Sequence, residues 1–69
     1  MKKTQRYENR VREAREGDLI LVMRWYSEEI EKERSRQRSS RNRFIRECCQ
    51  QTIDQLSAEK RAIEEELVG

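Results

Sequence analysis

The sequence predicts an all-α protein, an antiparallel helical hairpin, and three observations lead to that fold. There is no proline, and the only glycines are Gly17 and Gly69, so the strongest helix breakers are missing from most of the 69 residues. Apolar residues recur at three- and four-residue steps in two series, each a stripe down one helix face. The first is Tyr7, Val11, Ala14, Leu19, Val22/Met23, Tyr26, Ile30, and the second is Phe44/Ile45, Cys48/Cys49, Ile53, Leu56, Ile63, Leu67. Finally, the two stripes match when the chain is folded about Gln37. Ile30 then meets Phe44, Tyr26 meets Cys48, Met23 lies beside Thr52, Leu19 approaches Leu56, Val11 meets Ile63 and Tyr7 meets Leu67.

Taken in order, the first sixteen residues open helix one and are mildly basic, with six basic and three acidic residues. Gly17 falls opposite Ser57 in this register, and Asp18 and Ser57 are both good N-cap residues. The helices are therefore expected to kink or restart near Gly17 and Ser57. The segment between Ile30 and Phe44 has no apolar residue, which places a solvated bend at residues 34–43. Helix two then carries the second stripe toward the C-terminus.

A second fold competes. Residues 18–25, DLILVMRW, are rich in strand-favouring side chains. The stretch SSRNRFIREC resembles the second helix of ribbon-helix-helix DNA-binding proteins, and MRW followed by SEEI resembles their strand-to-helix junction. The resemblance covers residues 18–56 and implies a dimer whose two-stranded ribbon enters the major groove, here with an extra C-terminal helix. On the strand face of Ile20, Val22 and Arg24, only Arg24 could read a base edge.

Composition limits the core. One third of the residues are apolar and 43% are charged, so a single small domain buries little surface for its length. Cys48 and Cys49 are adjacent, which disfavours a bridge between them, and the absence of histidine disfavours a metal site. Both cysteines are expected as small buried hydrophobes. Extra core is expected from a homodimer packed as a four-helix arrangement through Leu19, Val22, Trp25, Tyr26, Ile53, Leu56 and Ile63. Trp25 falls beside the stripe and is the candidate dimer contact. The longest apolar run, residues 19–23, is far too short for a membrane span. Residues 1–3 mimic the charged start of a signal peptide, but 4–16 lack its apolar segment. A cytoplasmic protein with reduced thiols is expected.

Charge points to function. Residues 34–46, RSRQRSSRNRFIR, hold six arginines, Arg34, Arg36, Arg38, Arg41, Arg43 and Arg46, and no acid. Residues 47–69 hold six acids against two basic residues, and residues 17–33 hold five against two. Guanidinium groups fork onto phosphate oxygens, and the interleaved serine, asparagine and glutamine side chains add neutral donors. A small homodimeric regulatory or accessory factor that grips the phosphate backbone of RNA or DNA is expected. The alternative is a protein-interaction module, an adaptor or inhibitor, using the apolar face of residues 19–26 with the basic bend against an acidic partner. With no histidine, no glycine-rich phosphate loop and no serine in a nucleophile setting, neither an enzyme nor a cofactor is expected.

Overall fold

The first helix starts at Thr4, whose hydroxyl accepts from Tyr7 N at 3.0 Å and so satisfies one of the unpaired amides of the opening turn. It begins a chain of three helices in this computed structural model, which describes residues 4–68: α1 Gln5–Glu13, α2 Leu19–Ser39 and α3 Arg43–Leu67. Residues 1–3 and Gly69, noted above for charge and for glycine content, lie outside the described residues.

Between α1 and α2, Ala14–Asp18 form a widened turn in which Gly17 leaves helical geometry at φ +109° and ψ 0°. Only glycine adopts that backbone without strain from a Cβ. Beyond it α1 folds back over the α2–α3 pair, since the Arg10 guanidinium lies over the Trp25 ring and Arg6 and Tyr26 both reach Glu59.

Residues 18–25 do not form a strand; from Leu19 they are the start of α2, and the described residues contain no strand, which removes the ribbon-helix-helix alternative. Val22, Tyr26 and Ile30, four residues apart, are the buried face of α2. That helical period of burial outranks the strand preference of the individual side chains.

α2 continues through the arginine segment to Ser39, and the turn is made by residues 40–42 alone. Asn42 Oδ1 accepts from Phe44 N at 2.8 Å and from Ile45 N at 3.4 Å, which starts α3. Ser40 Oγ accepts from Asn42 N at 3.2 Å and tightens the corner. The hairpin therefore folds several residues later than Gln37. Gln37 is helical and donates across the hairpin to the Arg46 carbonyl and the Gln50 side chain, at 3.1 and 3.0 Å. Tyr26 consequently lies against Glu59, not Cys48, and Phe44 is 72% exposed where it was expected to meet Ile30. α3 runs unbroken past Ser57.

The core comprises Tyr7, Ala14, Val22, Tyr26, Ile30, Ile53, Leu56 and Ile63. Five of the seven residues expected at a dimer interface, Val22, Tyr26, Ile53, Leu56 and Ile63, are thus buried within one chain. Leu19 and Trp25 are half-buried against the same core, with Trp25 capped by Arg10. α2 and α3 bury these side chains largely against each other, and α1 adds Tyr7, with Val11 beside it, to the same core. Of the cysteines, Cys49 is buried but Cys48 is exposed.

Candidate nucleic-acid interface

All six arginines of the basic segment are exposed, but the helices separate them. Arg41, Arg43 and Arg46 come together. With Gln37, Glu47 and Gln50 they line a groove of about 410 Å³ where α2 and α3 meet at the bend. Arg43, Arg46, Glu47 and Gln50 share one face of α3 by their three- and four-residue spacing. The Arg43 side chain is 93% exposed, and its guanidinium Nε donates to Glu47 Oε1 at 3.2 Å. Arg41 and Arg46 form no ion pair among the described residues.

The other three point elsewhere. Arg36 borders a smaller groove, about 220 Å³, on the opposite face of α3, beside Phe44, Ile45 and Cys48, and is paired with Glu33 at 3.9 Å. Arg38 reaches back to Glu31 at 3.4 Å. Arg34 lies farther along the hairpin with Lys60 and Arg61. The basic segment is therefore one cluster of three with satellites, and Arg34 and Arg38 belong to the flank of α2.

Electrostatics sharpen the cluster. The first turn of α3 holds no acid, although negative charge is what stabilises a helix N-terminus. Arg43 and Arg46 instead add formal charge to the partial positive charge of the helix end. Arg36 and Arg38, in contrast, sit in the last turn of α2, where cations complement the dipole. Gln37 ties the two helices together beneath the groove, so its arginines project from a fixed base.

The N-terminal basic residues are differently employed. Arg6 forks onto Glu59, with Nε to Oε1 at 3.0 Å and Nη2 to Oε2 at 2.5 Å, while the Tyr26 hydroxyl donates to Oε1 at 3.0 Å. Glu59 is fully buried, and this pairing satisfies a charge that would otherwise be very unfavourable in the core. The hydrogen bond and charge of Glu59 hold the Arg6 pKa above its ordinary value against the opposing effect of burial. Burial, then the neighbouring Glu59 carboxylate, pushes the Tyr26 hydroxyl far above the usual tyrosine range. Arg10 stacks 4.8 Å from the Trp25 centroid and pairs with Glu13 at 3.3 Å. Arg15 and the Tyr7 hydroxyl both reach Glu66. Arg6 and Arg10 therefore fasten α1 to the hairpin, and Arg15 fastens the turn that follows it.

Burial, with the nearby Glu33 carboxylate adding to it, also pushes the Cys49 thiol up, which makes it a poor nucleophile at neutral pH. Glu59 is the polar residue that sequence reasoning passed over. Its signal was a gap: the stripe passes from Leu56 to Ala62 and Ile63 with no apolar residue at 59 or 60, and Glu59 fills that level.

No protein-family model matches the chain, and neither a curated protein nor a solved structure shows significant similarity to it.

Proposed function

We propose that this is a nucleic-acid-binding protein, without catalytic activity, that holds the phosphate backbone at the α2–α3 bend. The observation that carries the reading is the grouping of Arg41, Arg43 and Arg46 around a helix N-terminus with no acid in its first turn. Three exposed guanidinium groups on a braced corner match successive phosphates by charge and by bidentate geometry. Such contacts carry little sequence information, which suits an accessory or regulatory factor acting on RNA or DNA in the cytoplasm.

The test is affinity for duplex and single-stranded DNA and RNA as salt is raised. With three phosphates neutralised on duplex DNA, log K should fall with log salt at a slope of about −2.7. Each of Arg41→Gln, Arg43→Gln and Arg46→Gln should flatten that slope by about 1. Absence of binding at low salt would overturn the reading.

A second reading, docking to a protein or to another copy of the chain, is favoured by Ile20 and Leu21, which are 76% and 57% exposed. They lie with exposed Val68 at the end of the hairpin away from the bend, so a homodimer joined there would carry two separate basic ends. Sedimentation of the wild type against Ile20→Ser/Leu21→Ser checks it: a monomer in both removes self-association.

A further inference from the structure

The side of α3 that meets α1 continues past it toward the bend. Arg6 and Tyr7 of α1 reach Glu59 and Glu66. Three- and four-residue steps carry the same side of α3 back through Gln55, Gln51, Cys48 and Phe44. α1 begins at Gln5, beside the Arg6 that pairs with Glu59, so nothing among the described residues covers this stretch. Phe44, Cys48, Gln51, Gln55 and Ala58 are all exposed, and the Phe44 ring is 72% exposed. In a chain whose residues are 43% charged, these turns present no charge on this side. Depletion of charge is what marks the core of an interface.

The α2 side of the face is charged but balanced. Trp25, covered by Arg10, is followed at helical spacing by Glu29 with Lys32, at 3.2 Å, and Glu33 with Arg36, at 3.9 Å. The second distance is too long for a hydrogen bond, so the Arg36 fork remains open to a further carboxylate. Arg41, Arg43 and Arg46 line the opposite face and take no part here. A polyanion meets as much acid as base on such a face, whereas a second copy of the chain matches it group for group.

The register says how. Gln37 bonds to Gln50 and Lys60 to Ser27 across the hairpin, so Glu33 and Arg36 straddle the level of Gln51. Gln51 is also the midpoint of the uncovered stretch from Phe44 to Ala58. A two-fold axis crossing the helices at that level brings Glu33 of each copy to Arg36 of the other. α1 requires the same antiparallel sense, because in a parallel pair the two α1 helices would collide. We propose that this face joins two copies of the chain as an antiparallel, isologous dimer, with both basic grooves left facing outward. The contact is about 21 Å long and two helices wide, at the low end of interface sizes, and so gives a reversible dimer.

The experiment is sedimentation of the full chain, free of nucleic acid, over a concentration series. Wild type should pass from monomer to dimer, and a monomer up to about 1 mM overturns the proposal. Phe44→Asp should weaken the dimer by about 30-fold or more, as for loss of an aromatic anchor. An acid in the first turn of α3 favours that helix, so circular dichroism should show the fold kept. Arg36→Glu and Glu33→Arg should each weaken self-association by about 10-fold or more, and an equimolar mixture of the two should recover it. Failure of the mixture to recover overturns the antiparallel pairing. A dimer that survives Phe44→Asp but dissociates in Ile20→Ser/Leu21→Ser overturns this face in favour of the far end. Arg41→Gln/Arg43→Gln/Arg46→Gln should leave the dimer intact, which separates this contact from the nucleic-acid reading.

Discussion

Glu59 concentrates the chemistry of single residues in this protein. A fully buried carboxylate survives in so small a core because α1 delivers the Arg6 fork and α2 the Tyr26 hydroxyl. Removing one partner strands the other, so Arg6→Ala should destabilise the fold by about 3 kcal/mol, near the low end for broken buried pairs because water reaches the Arg6 side. Arg6→Met/Glu59→Leu should recover most of that loss, and urea unfolding of the three variants checks both outcomes. Tyr26 contributes to an alkaline limit. An unfolded tyrosine loses its proton near pH 10, whereas Tyr26 in the fold keeps it to higher pH. Its contribution is complete below about pH 10 and declines above that, by about 1.4 kcal/mol per pH unit. Tyr7, shifted the same way by burial and Glu66, adds to the decline. Tyr26→Phe should make the fall in stability shallower, as read from denaturant midpoints measured from neutral to strongly alkaline pH.

Among the elements, the two corners differ in kind. The Gly17 corner depends on backbone freedom. A Cβ there would meet nothing within 4 Å, so Gly17→Ala should cost about 1–2 kcal/mol from the positive φ alone. The 40–42 corner depends on a side chain instead, and Asn42→Ala should cost about 1 kcal/mol through the lost cap of α3. Thermal melts followed by circular dichroism test the pair. These corners also explain what was legible in the sequence. The helices and their buried faces could be read from three- and four-residue spacing, which needs only nearest turns. The register could not, because residues 31–43 offer no apolar residue to pin it and Gln37 is as good a helix former as a bend residue. A cap by Asn42 decided it.

For the whole molecule, the arginine segment was legible as charge but not as a surface, since neighbours in sequence diverge once wound on a helix. Arg41, Arg43 and Arg46 converge only because the corner falls at 40–42, and that same placement strips Phe44 of its cover. Glu59 was hidden for the opposite reason, a charge occupying a core level. The dimer expected from core size rested on seven residues, five of which are buried within one chain, while Ile20, Leu21 and Val68 at the far end are exposed. The molecule is elongated, 41 Å by 22 Å by 20 Å, and the basic corner lies at one end of its hairpin.

The pairing of Arg6 with Glu59 also has a kinetic consequence. It joins residues 53 apart in sequence, whereas α2 and α3 are joined by a three-residue corner. Closing the short loop is expected first, because the entropy lost grows with the chain enclosed. α1 is then expected to dock onto a hairpin already formed, with little of its pairing present at the folding barrier. In stopped-flow chevrons, Arg6→Ala should therefore accelerate unfolding and barely slow folding, so the N-terminal helix sets the lifetime of the native state.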